Sequence, residues 1–153
     1  MLVNQLLSMK TISGKDGIES GSIITIAPDA TLAEAVRLLS ERRIGAVVVS
    51  TDGATPEGIL SERDIVRQLG ANGPDILSSP INSIMTKAVQ TCTAGEDALV
   101  VLDRMTQGRF RHMPVVDGDG RMLGVISIGD AVSGRLKELA AEKEALTGMI
   151  MGS

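Results

Sequence analysis

A seven-residue phrase occurs twice in this chain. Residues 58–64 read GILSERD and residues 124–130 read GVISIGD, so that Asp64 and Asp130 end the two copies sixty-six positions apart. Sliding the chain over itself by that offset brings Thr25 onto Thr91, Arg43 onto Arg109, Val49 onto Val115, Ser61 onto Ser127 and Val66 onto Val132. Between the identities aliphatics exchange for aliphatics, Ile59 for Val125 and Leu60 for Ile126. Such a period means two copies of one supersecondary unit, each too small to bury its own sheet. A second echo lies upstream, where VNQLLSMK (3–10) resembles INSIMTK (81–87) at an offset of seventy-eight. The first half therefore carries about a dozen extra residues. They are assigned to SGKDGIESGS (13–22), read as a flexible loop.

Each half reads as β-α-β-β-α. In the first, a strand at 22–26 leads to a helix at 28–43, with a capping box of Thr31 and Glu34 and an apolar face of Leu32, Val36 and Leu39. A β-branched run at 44–50, a turn at 51–58, a strand at 58–61 and a helix at 62–69 follow. The second half gives strands at 89–92, 112–117 and 121–127, a helix at about 96–107, a turn at 117–120 and a last helix from 128. LGANGPDILSSP (69–80) joins the halves. The expected fold is α/β (α+β), two repeats packed with pseudo-two-fold symmetry. The expected parts are 1–79 (N-terminal segment and first repeat), 80–136 (second repeat) and 137–153 (C-terminal helix and tail). Val132, Leu136, Leu139 and Leu146 form an apolar stripe on the last helix, read either as packing on its own domain or as a dimer contact.

A chain of 153 residues, 43% of them hydrophobic, buries roughly two-thirds of its unfolded surface, enough for a core without disulfide or metal. No apolar run approaches the ~18 residues that cross a bilayer. The opening MLVNQLLSMK lacks a signal peptide's charged lead and cleavage site. One cysteine, Cys92, makes neither an internal disulfide nor a zinc site, and reads as a buried apolar residue. A reducing cytoplasm is the expected setting, without membrane. The net charge of −4 argues against nucleic acid as a partner. One Phe and no Trp or Tyr mean that a planar ligand is expected between aliphatic side chains and backbone, without ring stacking.

Two readings of the repeated serine and aspartate compete. A serine between strand and helix is a standard N-cap, and an aspartate three positions on suits the helix macrodipole. An aspartate at a strand's carboxyl end also accepts hydrogen bonds from vicinal hydroxyls, as ribose is gripped in dinucleotide folds. A helix N-terminus beside it donates to phosphate, but the aspartate's own charge then calls for nearby cations. RFRHMPV (109–115) supplies Arg109, Arg111 and His112, whereas RIGAVVV (43–49) has Arg43 beside small residues. The two sites are therefore expected to be unequal.

The stretches IITIAPDATLAEAVRLLSERRIGAVVVS…GILSERD and VQTCTAGEDALVVLDRMTQGRFRHMPVVDGDGRMLGVISIGD resemble a tandem pair of CBS (cystathionine-β-synthase) domains, the Bateman module, over about residues 20–135. The resemblance implies two clefts between the halves that bind adenosine-containing ligands: AMP first, with ADP, ATP or NAD(H) next, and S-adenosylmethionine as an alternative. Carried over, one cleft uses Ser61 and Asp64 with Thr91, Arg111, His112, Met113 and Pro114. The other uses Ser127 and Asp130 with Thr25, Ile44, Gly45 and Ala46. The aspartates hold ribose, aliphatic residues and backbone flank adenine, and Arg111, His112 and Arg63 face phosphate. Two departures stand out. TCTAGED (91–97) replaces a proline-aspartate pair like Pro28-Asp29, and Ala46 stands where the other half has His112. The second makes the Asp130 cleft less suited to a phosphate-rich ligand.

His112 is the only histidine, without partners for a zinc site and without a nucleophile-elbow motif. No Walker or G-x-G-x-x-G stretch occurs. The leading reading is a regulatory ligand-binding module, not an enzyme, that senses energy or redox state as a homodimer, needs no metal and signals to an effector protein. A scaffold with empty clefts is the alternative, and an enzyme acting on a nucleotide the third.

Overall fold

The repeat reads straight into strand register. The computed structural model describes residues 1–12 and 23–151, and the stretch read as a flexible loop at 13–22 lies outside them. After helix α1 (Val3–Ile12), the first half holds β1 (Thr25–Ile26), α2 (Leu32–Arg42), β2 (Ala46–Val49), β3 (Gly58–Ser61) and α3 (Glu62–Asn72). Two 3₁₀ turns, Pro74–Ser78 and Ile81–Ser83, lead to the second half. That half holds β4 (Cys92–Thr93), α4 (Ala98–Gly108), β5 (His112–Val116), β6 (Met122–Ser127) and α5 (Ile128–Met151). Each half is a three-stranded sheet whose central strand runs parallel to the first and antiparallel to the third. Ala46 pairs with Ser61 and Val49 with Gly58; sixty-six residues on, His112 pairs with Ser127 and Val115 with Gly124. The outer strands β1 and β4 are only two residues each, shorter than the runs read from sequence.

The helices start where the chain supplies caps. Thr31 Oγ1 accepts from Glu34 N at 3.2 Å, and Glu34 Oε2 accepts from Thr31 N at 2.9 Å, so the capping box read from sequence is made. Inward on α2 lie Leu32, Ala35 and Leu39, whereas Val36 is 36% exposed. The expected apolar face was off by one position, with Ala35 in place of Val36 between Leu32 and Leu39, which brings the smaller side chain onto the sheet. Both α2 and α4 end on a left-handed arginine, Arg43 (φ 54°) and Arg109 (φ 59°), again sixty-six apart.

The hydrophobic interior falls into two clusters that are copies of each other. One contains Leu32, Ala35, Leu39, Val47, Val49, Leu60, Ile65 and Ile81. The other contains Ala98, Val101, Met105, Met113, Val115, Ile126 and Ala131 in the matching order, with Cys92, Val3 and Leu6. Ile81 and Val3 match only at the second offset, seventy-eight, and each sits in the half that is not its neighbour in sequence. The backbone repeats this exchange. Val3 N donates to Glu96 O (3.0 Å) and Asn4 N to Ala94 O (3.0 Å), as Ile81 N does to Ala30 O (2.8 Å) and Asn82 N to Pro28 O (3.0 Å). Ala98 N donates to Met1 O as Leu32 N does to Ser79 O. Core membership thus crosses the 79/80 division of the chain in both directions.

This exchange explains the glycine that opens each copy of the repeated phrase. A Cβ on Gly58 would run into the Met85 side chain, and one on Gly124 would lie 2.7 Å from Leu7 Cδ2. Met85 and Leu7 are equivalent at the offset of seventy-eight, so each crossing segment lays one side chain over the other half's third strand. The last helix outlasts its twin, 24 residues against 11, and its stripe of Val132, Leu136, Leu139 and Leu146 faces away from its own domain. Among the described residues no helix is long and apolar enough to cross a membrane.

Candidate functional site

Both copies of the repeated phrase end in a reciprocal cap. Ser61 N donates to Asp64 Oδ2 (3.1 Å), Asp64 N donates to Ser61 Oγ (3.2 Å), and the hydroxyl itself reaches Asp64 Oδ2 at 3.0 Å. At the second copy Ser127 N donates to Asp130 Oδ2 (2.8 Å) and Asp130 N to Ser127 Oγ (3.0 Å). Each serine also belongs to the last pair of its β-ladder, Ser61 opposite Ala46 and Ser127 opposite His112. The cap therefore fixes the aspartate at the carboxyl end of a strand, on the first turn of a helix. At Asp64 the two bonds that the carboxylate accepts, from Ser61 N and the Ser61 hydroxyl, both fall on Oδ2.

A cleft of about 840 Å³ opens between the halves at this place. The first half contributes Gly45, Ser61, Glu62, Arg63, Asp64 and Arg67; the second contributes Arg109, Phe110, Arg111, His112, Ser127 and Gly129. Thr86, Ala88, Val89 and Gln90, ahead of β4, close a further side. At Gly45 the halves approach each other: a Cβ there would lie 3.9 Å from His112 Cε1, and 3.4 Å from Glu62 Oε1 of its own half.

Of the residues expected for the Asp64 cleft, Ser61, Arg63, Asp64, Arg111 and His112 line this cavity together. Met113 turns its side chain into the second core, and Pro114, on the opposite face of β5, is fully buried as well. Thr91 is half-buried, and its carbonyl accepts from Arg104 Nη2 at 3.1 Å. Of those expected for the Asp130 cleft, Gly45 and Ser127 open into this same cavity. Ala46 starts β2, Ile44 packs on the first core and Asp130 caps α5. Thr25 pairs with Val48, beside the loop that begins at Thr51. That loop is held by Asp52, whose carboxyl lies well below the usual range because the Thr55 and Ala54 N–H groups and the Ser50 hydroxyl donate to it. It reaches the other half, where Met122 N donates to Ala54 O at 2.8 Å.

Sequence reasoning missed two wall residues. Arg67 stands one helical turn after Arg63 on α3, a spacing that could have signalled it. Phe110, the chain's one Phe, also lines the cleft, following the αL turn at Arg109, and packs in part on the second core. The cavity's formal charge is set by four guanidinium groups (Arg63, Arg67, Arg109, Arg111) against Glu62 and Asp64, in a chain of net charge −4. At the equivalent positions the other copy has Gly129, Ser133, Arg43 and Gly45, one cation in place of four. Among the described residues no cluster of His, Cys, Asp or Glu is placed to hold a metal ion.

Comparison with known proteins gives these residues a context. The family model described as "CBS domain" matches residues 17–71 and 81–136. The mitochondrial CBS domain-containing protein CBSX3 of Arabidopsis thaliana is 32% identical over 136 residues, 86% of this chain and 66% of that protein. The longer CBSCBSPB5 of the same plant is 29% identical, and the match spans only 24% of its length. Among solved structures, a CBS-domain containing protein from Agrobacterium tumefaciens is 37% identical with a TM-score of 0.77, covering 88% of this chain and 99% of that one. The CBS domain pair of protein MJ0100, solved in complex with 5′-methylthioadenosine and S-adenosyl-L-methionine, is 25% identical with a TM-score of 0.71, covering 89% of this chain and 98% of that one.

Proposed function

We propose, from the premise that this chain belongs to the CBS-domain family and carries its domain twice, that it is a regulatory module binding an adenosine-containing ligand between its halves. In this reading it is not an enzyme. It passes its ligand state to an effector protein through a conformational change, as a homodimer in the cytoplasm. The adenosine part has the support of a related domain pair solved with two adenosine compounds. It also has the support of chemistry on this chain: Asp64 is pinned through Oδ2, which leaves its Oδ1 edge to meet vicinal hydroxyls at a strand's carboxyl end.

The observation that carries the choice of ligand is the cation set. Four guanidinium groups around one cleft favour phosphate, which they meet through charge-assisted bonds. The sulfonium of S-adenosylmethionine would enter the same cleft as a fifth cation, and its repulsion makes it the weaker candidate. Four guanidinium forks offer more donors than a single phosphate takes up, which favours two or three phosphates over one, so ATP, ADP and NAD(H) rank above AMP in this cleft. A volume of about 840 Å³ is within the range of sites that enclose ligands of this size. The Asp130 side, with Gly129, Ser133 and Gly45 in place of arginines, suits a ligand with fewer phosphates.

Calorimetric titration of AMP, ADP, ATP, NADH and S-adenosylmethionine tests this directly. The chain has one Phe and no Trp or Tyr, so absorbance of the purified protein near the adenine band also reports any ligand carried along. Affinity is expected to rise from AMP to ATP, with S-adenosylmethionine weakest. Asp64→Ala should weaken every adenosine ligand, whereas Arg67→Gln with Arg111→Gln should bring ATP down toward AMP. If none binds, and Asp64→Ala with Asp130→Ala leaves the melting temperature unchanged at any nucleotide concentration, the chain is a scaffold instead. Release of a hydrolysed product would make it an enzyme.

A further inference from the structure

Helix α5 carries a pattern that the cleft does not use. Val132, Leu136, Leu139, Lys143, Leu146 and Ile150 follow one another at alternating steps of four and three, the spacing of a heptad seam. Five of the six are apolar and exposed, at 42%, 62%, 43%, 61% and 78% for Val132, Leu136, Leu139, Leu146 and Ile150. The helix packs on its own domain through another face, that of Ala131 and Gly134. The seam therefore stays open along its whole length, and every residue from Leu139 to Ile150 is exposed. The first half has no counterpart to this stretch, since α3 ends at Asn72.

We propose that α5 pairs with α5 of a second copy as an antiparallel two-helix coiled coil. The inference takes up the homodimer of the reading above and rests on it. In this arrangement Val132 faces Ile150 of the second copy, Leu136 faces Leu146 and Leu139 faces Lys143, and the same three layers recur by symmetry. Six layers over about 27 Å cover the whole seam. Charge selects the direction. In a parallel pair Lys143 would face its own copy in the middle of an apolar seam. The flanking pairs would be Arg135 with Ala140 and Glu142 with Thr147, neither of them an ion pair. In the antiparallel pair Lys143 lays its stem on Leu139, and its ammonium reaches Glu142 of the second copy about one turn away. Sliding the pair by one heptad would leave Leu146 and Ile150 uncovered.

Sedimentation of the full chain at micromolar concentration tests the seam. The wild type is expected to be a dimer, and Leu136→Asp with Leu146→Asp is expected to weaken its association by about a hundredfold or more. Both side chains are exposed in the protomer, so its far-ultraviolet circular dichroism should not change, and its melting temperature should fall only by what loss of the dimer removes. A wild type that stays monomeric overturns both seam and homodimer, whereas an undiminished dimer in the double variant overturns the seam alone. For the direction, chains carrying Leu136→Cys and Leu146→Cys, each with Cys92→Ser, should cross-link when mixed. A disulfide joining two copies of the Leu146→Cys chain overturns the antiparallel pairing.

Discussion

If Val3 completes the core of the second half, an N-terminal valine should matter as a core residue does, although chain ends ordinarily tolerate change. Val3 is 0% exposed, in the cluster of Met105, Met113, Val115 and Ile126. Val3→Ala deletes two carbons, about 1.6 kcal/mol of transfer free energy at roughly 0.8 per buried carbon. The cavity left between α1 and the sheet raises the cost to about 2–3 kcal/mol. Ile81→Ala, at the equivalent place in the other core and also 0% exposed, deletes three carbons and should cost about 3–4 kcal/mol. Val66→Ala, at a side chain 69% exposed, should stay within about 0.5 kcal/mol. Without Trp or Tyr, fluorescence cannot follow unfolding, so urea transitions are read by far-ultraviolet circular dichroism. At about 2–4 °C per kcal/mol for a chain of this size, Val3→Ala should lower the melting temperature by roughly 4–12 °C. A Val3→Ala cost no larger than that of Val66→Ala would refute the exchange of segments between the halves.

Two further outcomes follow from the backbone and the core. Arg43→Gly relieves a left-handed residue at a helix end and should raise stability by about 0.5–1 kcal/mol without changing ATP affinity in the Asp64 cleft, which Arg43 does not line. Arg109→Gly should stabilise similarly but weaken ATP binding in calorimetry, and a loss of stability in Arg43→Gly would sink the argument. Burial, with Glu96 next to it, pushes the Cys92 thiol up to about 11 from an ordinary value near 9. The unfolded chain then loses this proton first, so stability is complete below about pH 9 and falls as pH rises toward 11. Urea midpoints across that window should show the decline, and a Cys92→Ala chain in which it is undiminished removes the cause.

The sheets and caps were legible because their determinants are local and doubled. Ser61 with Asp64 and Ser127 with Asp130 signal a cap within four residues, and the offset of sixty-six carries one half's register onto the other. The exchange of segments was visible only as a faint echo, since VNQLLSMK and INSIMTK share a pattern but not a structure: one becomes a helix of ten residues and the other begins with a 3₁₀ turn of three. Why Gly58 and Gly124 are glycines was not legible at all, because the side chains above them, Met85 and Leu7, come from segments whose placement no short-range signal gives. The cleft wall failed for the same reason at Arg67 and Phe110, which meet the expected residues only once the halves pack. Val36 was misplaced because periodicity fixes a stripe's direction less sharply than its spacing.

The cap and the ligand are not rival explanations of the repeated serine and aspartate. A carboxylate held through Oδ2 by a backbone N–H and a hydroxyl has lost its rotamer freedom before any ligand arrives, so the fold has already met the entropic cost of orienting it. The backbone bond recurs at Asp130, where Ser127 N donates to Oδ2, and symmetry alone would make two equal sites. The difference arises where side chains meet solvent instead of packing. Core pairs such as Leu60 and Ile126 keep their character because the two interiors are alike. Arg63, Arg67 and Arg111 are exposed, so the fold is indifferent to whether they are arginine or, as in the other copy, Gly129, Ser133 and Gly45. A doubled scaffold thereby holds two oriented aspartates while collecting its positive charge beside one, and ligand choice follows from that charge and not from the cap.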